Sequence, residues 1–498
     1  MADNMNGSGY EYIISLCEAI NKFTKQEESK NPSVFIYKKS NLRFAFERAL
    51  YFNYARNSYF FGIFKAYRAG DRSKKIIVNN RMERRLISLL CVAEEKDISI
   101  KEENLINKFK KTALCAVRYC ITRLGVDKIA ENIRCGINNR RQKDIHPEVL
   151  FCVQNKRIVR YLKPISSKMT APYAYVTFDK EIAEYLRNEN MPFIYLSKFG
   201  YPLERWSKKK NALYKFVITD KYDLLYDSLN RIKPKSVVVA EGNTSHDEII
   251  NRICKQCGIQ SICIQQGWAF FATHTGFRNM TYGKMLVWGK GFARNLSRHN
   301  PDQKFIATGS HIISIKNFKT EKIFAISLFS QGKTFIINET VSREFISLAE
   351  QIIMEYPNVK VILREHPLYP FTAIEKERFG KIGVIFMSPF KYSLDEVFEK
   401  SDLTISIFSS TILESIAAGI VPIVFNPNLF PNYFPDINTM GVGIEVKNVK
   451  DAISTIKKLI KNPEEIKKYK EPMEKFRKEY FSYNKEIAIN NIIRELTN

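Results

Sequence analysis

No run of about 20 uninterrupted apolar residues occurs in the chain, so no segment reads as a membrane-spanning helix. The first residues, Met1 to Gly9, have neither a basic start nor an apolar core, which excludes a secretory signal there. The nine cysteines are an odd number at irregular spacing, which argues against a disulfide framework. Cys254-Lys-Gln-Cys257 has no partner pair and reads as a helix end before Gly258, not as a zinc site. No Asp-x-Asp element stands where a divalent cation would bridge a diphosphate. Ser330-Gln-Gly-Lys-Thr334 lacks the first glycine and the spacing of a P-loop, which discounts ATPase chemistry. Together these absences point to a cytoplasmic chain with no metal and no cofactor.

Positive charge is abundant. The 498 residues carry 78 Lys and Arg against 52 Asp and Glu, a net +26. Nucleic acid and an anionic membrane surface are the partners such a charge suits, and lysine-rich genomic usage explains it equally well. No helix-turn-helix, zinc-finger spacing or RNP-like aromatic motif accompanies it, so nucleic acid is not the expected partner. A possible anionic membrane surface stays open, with a peripheral location at the inner face of the membrane.

At this length two or three domains are expected, and 45% apolar content is that of a globular protein. Residues 1–146 read as a basic, mostly helical N-terminal extension, with short candidate strands at Val34–Tyr37 and Lys75–Val78. They hold 28 basic and 16 acidic residues, nearly half of the net charge. Within it Leu42–Arg68 mixes ten aromatics with Arg43, Arg48, Arg56, Lys65 and Arg68. Such a helix can lie in a membrane interface. Its charges do not share one face, which favours inward packing of the rings.

From Glu148 onward short apolar runs alternate with amphipathic helical stretches, as in Val149–Val153, Ala174–Phe178, Pro192–Leu196, Ser236–Ala240 and Ser261–Ile264. The series restarts at Ile323–Leu328. Alternation of this kind predicts parallel sheets covered on both faces. The fold class is therefore α/β, two tandem doubly wound, Rossmann-like domains, over residues 147–312 and 313–498. The tail from Pro463, with apolar positions at Ile487, Ile489, Ile492, Ile493 and Leu496, suits packing back on the first domain.

Chemistry gathers at strand ends. Val361-Ile-Leu-Arg-Glu-His-Pro367 is an apolar strand ending in His366 and Pro367. The strand Leu403–Ile407 runs into Ser409, Ser410 and a short helix from Thr411, which Gly419 closes. Ser409 or Ser410 can cap that helix, leaving N–H groups and hydroxyls at a strand's carboxyl end, an arrangement that suits phosphate. In a parallel sheet His366 shares that edge, with Arg364 two residues before it. Lys333, in the loop after Leu328, can approach the same ligand. In the first half, Glu241 follows Ser236–Ala240, where a carboxylate can take a hydroxyl proton or precede a helix; His246 is an alternative base.

This pattern resembles GT-B glycosyltransferases, above all the bacterial families that make capsule, lipopolysaccharide or wall polymers. These include sialyltransferases, Kdo transferases and CDP-glycerol or CDP-ribitol polymerases. The resemblance covers about residues 147–460. It implies that His366-Pro367 and Ser409-Ser410 bind the phosphate and nucleoside of a CMP or CDP donor, and that Glu414 holds ribose hydroxyls. Glu241-Gly242 is similar to the acidic-Gly element that carries the base of some bacterial sialyltransferases. Ala240–Asn243, Gln265-Gln266-Gly267, Leu286–Gly289 and Ile306–Ser310 match elements of capsule-type transferases. Gln266 stands where those families have a histidine, which removes one candidate base. Asn243, Gln266, Gly267 and His274 then fall on the acceptor side. The implied activity is transfer from a CMP-activated, Kdo- or sialic-acid-like donor, without a metal, to a glycan or lipid-linked acceptor. A CDP-polyol phosphotransferase and a UDP-sugar 2-epimerase share the architecture, and a basic nucleic-acid-binding protein is the reading from another class.

Overall fold

The computed structural model describes residues 8–73, 75–79, 81–100, 146–196, 219–267, 277–319, 322–332, 337–367, 369–407, 409–427 and 435–498. The N-terminal extension is built from helices Ser8–Lys30, Arg43–Tyr54, Ser58–Arg68 and Arg81–Cys91. Two small ladders join them, antiparallel β1 (Ile36–Tyr37) with β2 (Ser40–Asn41) and parallel β3 (Ile76–Val78) with β4 (Ile98–Ile100). The aromatic-basic segment resolves in favour of packing: Phe46, Tyr54, Phe60 and Phe64 are buried, and Tyr54 stacks on Phe60 at 4.4 Å between centroids. Phe52 and Tyr59 stay exposed.

Seven strands form the next sheet: β5 (Val149–Cys152), β6 (Tyr173–Thr177), β7 (Phe193–Tyr195), β8 (Ser236–Ala240), β9 (Gln260–Ile264), β10 (Lys284–Val287) and β11 (Phe305–Ala307). Six more form a second sheet: β12 (Ala325–Phe329), β13 (Lys360–Arg364), β14 (Ile385–Phe386), β15 (Leu403–Ser406), β16 (Val421–Phe425) and β17 (Ile444–Val446). Every neighbouring pair in both is parallel. Their central strands are buried along their whole length, as a sheet covered on both faces requires.

The strand orders are β11-β10-β9-β8-β5-β6-β7 and β14-β13-β12-β15-β16-β17. In each sheet the chain winds outward from its first strand, returns, and winds the other way. This is the doubly wound arrangement, twice in tandem, and it supports the GT-B architecture. Each sheet has one point where the winding reverses, between β5 and β8 and between β12 and β15. Ligands of open α/β sheets bind in the crevice outside the strands' carboxyl ends at such points.

The last two helices return to the first sheet. Phe476 and Tyr480, on helix Lys470–Tyr480, stack at 4.3 Å, and Tyr480 meets Phe292 edge-on at 5.1 Å. On helix Lys485–Thr497, Ile492 and Leu496 join the core beside Val159 and Leu162. Ser236 Oγ donates to the Leu496 carbonyl at 2.9 Å, and Lys284 pairs with Glu495 at 3.0 Å. The C-terminal arm thereby ties the two domains together. Among the described residues no helix is long and apolar enough to cross a membrane.

Candidate functional site

The two reversal points supply most of the candidate residues. At the first, β5 leads into helix Lys156–Ser166, whose N-cap Asn155 accepts from Ile158 N–H, and this places Arg157 at the crevice. β8 ends one residue before Glu241. Arg157 and Glu241 form an ion pair. Glu241 has φ +74°, a left-handed conformation that an L side chain adopts at a cost of about 1–3 kcal/mol. Gly242 follows at φ +76°, and a Cβ there would run into Cys263 Sγ. A carboxylate held in such backbone, beside an arginine and at a strand's carboxyl end, is a mark of a functional position.

Behind Glu241 lies a second carboxyl that the sequence reading passed over. Asp247 forms a reciprocal capping box with Thr244 at the start of helix Ser245–Cys257 and accepts from Gln154 Nε2 at 2.9 Å. It is almost fully buried. Burial, with the Glu241 charge added, pushes it up to about 7, against the lowering pull of Thr244 and Arg48. A carboxyl whose pKa rises on folding holds its proton more tightly in the folded state. Its stabilising effect is therefore greatest in acid and fades as the pH climbs from about 4 to about 7. Asp247→Asn should remove that slope, so the variant's thermal midpoint relative to wild type should improve between pH 5 and pH 8. A constant difference across that range would show that Asp247 does not titrate there.

In the first domain, Asn243 Oδ1 and Gln266 Oε1 are buried acceptors with no partner among the described residues. Buried carbonyl oxygens normally find a donor. Gln265 is instead structural: its side chain accepts from Trp288 N–H and its carbonyl from the Trp288 indole, each at 3.0 Å. Gly267 has open space where a Cβ would stand. His246 meets Phe178 edge-on, ring centroids 5.6 Å apart. His274 and Lys333 lie outside the described residues.

In the second domain His366 ends the strand run. Its N–H donates to Ser330 Oγ at 3.2 Å, in the loop after β12, and its ring faces Tyr369 at 5.3 Å. Burial, then the charges of Arg157 and Arg56, hold its pKa below the usual imidazole value. The shift favours the neutral imidazole. Pro367 is exposed at the rim.

The structure separates the two serines and gives Arg364 a partner. Ser410 occupies the cap position of helix Thr411–Ala417, but it has helical dihedrals and makes no side-chain cap bond. The hydroxyl that does turn back is that of Ser409, accepting from Thr411 N–H at 3.2 Å. The hydroxyl of Ser410 is engaged by Glu414 one turn on. Arg364 donates to the Tyr392 carbonyl at 2.9 Å, which holds the 392–393 loop, and its charge acts on Glu414.

Glu414 is pushed up to about 7 by burial, partly offset by Ser410 and Arg364. It lines a cavity of about 260 Å³ at the domain junction, together with His311, Ser393, Asp395 and Lys485. His311 Nε2 lies 2.6 Å from the Tyr161 carbonyl, and burial holds its pKa down to about 4. It went unread in the sequence because it follows Thr308-Gly309-Ser310 in a stretch without periodicity. Among the described residues no group of three or more His, Cys, Asp or Glu is placed to hold a metal ion.

No family model matches the chain, and no curated protein matches it in sequence. Solved structures do align with it. UDP-GlcNAc 2-epimerase from Neisseria meningitidis, bound to UDP-GlcNAc, is 14% identical, with a TM-score of 0.48 over 70% of this chain and 98% of that one. A putative UDP-N-acetylglucosamine 2-epimerase from Listeria monocytogenes is 12% identical, with a TM-score of 0.47 over 69% and 94%. The wall teichoic acid polymerase TagF is 10% identical, with a TM-score of 0.44 over 79% and 98%. These likenesses concern the course of the chain and not its chemistry; the fold assignment rests on the strand orders.

Proposed function

We propose that this chain is a GT-B glycosyltransferase that moves a sugar from a CMP-activated donor, of the Kdo or sialic acid kind, to a bacterial surface polysaccharide or lipid-linked glycan. One observation carries the reading. Glu241 at the reversal point of one domain and His366 beside that of the other are linked through Arg157, which pairs with the first and electrostatically depresses the second. This linkage supports a base on one side of the crevice and an anion-binding group on the other. Glu241 takes the proton of the acceptor hydroxyl, whose oxygen attacks the anomeric carbon. The bond to the phosphate oxygen breaks, and the departing nucleotide's charge is met by Arg157, the His366 ring and the Ser409–Thr411 turn. Asn243 and Gln266 offer their orphan oxygens to acceptor hydroxyls, and Glu414 takes the ribose. The acceptor is presented at the inner face of a membrane to which the basic chain is drawn.

A second reading has its own observation. Arg157 and Arg56 both act on His366, and two guanidinium groups suit two phosphates better than one. This favours a CDP- or UDP-linked donor, as a CDP-polyol phosphotransferase or a UDP-sugar 2-epimerase would use. Calorimetry with CMP, CDP, UDP and GDP separates the readings. His366→Ala should weaken binding of the preferred nucleotide by about 10-fold or more, the scale of one or two hydrogen bonds to a charged group. Preference for CMP supports the first reading, and preference for CDP or UDP the second. If no nucleotide binds, the transferase reading fails, and a salt-sensitive shift with random duplex would then favour nucleic acid.

A further inference from the structure

The N-terminal extension docks on the first domain through buried polar contacts. Arg48 pairs with Glu248 at 3.1 Å, with both side chains almost fully buried. Tyr37 donates to Asp223 at 2.6 Å, and Lys38 pairs with the same carboxylate at 2.8 Å. Arg48 lies on helix Arg43–Tyr54 and Glu248 on Ser245–Cys257, the helix that starts just after Glu241 and Gly242. The extension's helix is therefore clamped to the element that frames the candidate base. Two residues beyond its end comes Arg56, at the turn into helix Ser58–Arg68.

Arg56 reaches past the first domain to the second. Its guanidinium donates to Tyr369 Oη at 3.1 Å, in the second domain. Tyr369 is tied to His366 twice over, by ring contact and by its own N–H donating to the His366 carbonyl at 3.0 Å. The Tyr369 ring also covers Gly332, where a Cβ would collide with it, in the loop after β12. Three separate parts of the chain thus converge on one histidine. They bring two guanidinium groups, Arg157 from the first domain and Arg56 from the extension. The Arg56 head is exposed, so its cost of desolvation is small and it is free to turn from a phenol oxygen to a stronger acceptor. A charged phosphate oxygen is such an acceptor, with bonds roughly twice as strong as neutral ones.

We propose that Arg56 is a specificity-determining residue for anionic donors: the extension forms a third wall of the crevice and places this guanidinium, with Arg157, on the phosphate of the bound nucleotide. Tyr369 is its resting partner when no nucleotide is bound. The proposal rests on the nucleotide-binding reading above, and it concerns residues outside the two doubly wound domains.

The test is calorimetry on the full-length chain, using the preferred nucleotide and its parent nucleoside. Arg56→Ala should weaken the nucleotide about 10- to 100-fold and leave the nucleoside unchanged, with Arg56→Lys recovering part of the loss. Tyr369→Phe keeps the ring and removes the resting partner, so it should change nucleotide affinity less than about threefold. An Arg56→Ala variant that binds nucleotide like wild type overturns the proposal and leaves the proposed function standing. So does equal loss in Arg56→Ala and Tyr369→Phe, which would make the pair a structural latch. Failure of the wild type to bind any nucleotide overturns both.

Discussion

Glu241→Gln is expected to lower transfer turnover by about 10²- to 10⁴-fold, the usual worth of a positioned general base, while donor-nucleotide affinity stays within about threefold. The separation follows from the geometry. Glu241 belongs to the first domain, one residue past β8, whereas His366 and Ser409 belong to the second. Removing the carboxylate charge also frees Arg157 from its ion pair, so nucleotide affinity should hold or rise slightly, never fall. Turnover is read as nucleotide released in the presence of acceptor glycan, and affinity by calorimetry. A structural role makes a different forecast. If Glu241 served only to place the turn before helix Ser245–Cys257, Glu241→Gly would accept the φ of +74° without strain and keep turnover. We expect Glu241→Gly to hold its thermal midpoint and lose turnover like Glu241→Gln. Retention of more than a tenth of wild-type turnover in either variant would remove Glu241 from the role of base.

What the sequence disclosed followed the range of the interaction. Strands such as Ser236–Ala240 and Val421–Phe425 are continuous apolar runs because both faces are covered, so their type is written locally. The positions at strand ends, Glu241, His366 and Ser409, were legible for the same reason: once a strand is placed, its carboxyl edge is placed too. Arg157 could have been found by that rule, since it follows the first strand of its sheet, but no apolar pattern draws attention to it. Asp247 had a local signal as well, three residues after Thr244, and was masked by the choice between Glu241 and His246 as base. Arg56 had none. Its contact with Tyr369 spans 313 positions and depends on how the extension docks, which no window of sequence contains. The choice between Ser409 and Ser410 was left open by the sequence for a similar reason. A serine before a short helix reads as a cap, but Glu414, one turn later, competes for its hydroxyl.

Breaking the clamp that docks the extension should give the largest loss of stability. Arg48→Met leaves Glu248 buried with, among the described residues, Arg252 at 2.6 Å on the same helix to balance it. Removing one partner of a buried pair typically costs about 3–5 kcal/mol, and the remaining Arg252 places this case near the lower end. For a domain of 150–250 residues each kcal/mol moves the midpoint by roughly 2–4 °C, so a fall of at least about 6 °C is expected by calorimetric scan. The fall has a signature that ordinary damage to packing lacks. Arg48→Met with Glu248→Met removes both charges and fills the space with apolar side chains, which is often neutral or better for a buried pair. The double variant should regain most of the lost midpoint, whereas two independent packing defects would add. The clamp also holds the helix that ends just before Arg56. Arg48→Met should therefore weaken nucleotide binding no further when Arg56→Ala is already present, although each alone weakens it. Full additivity of those two effects on affinity would mean that docking of the extension and the placement of Arg56 are unrelated.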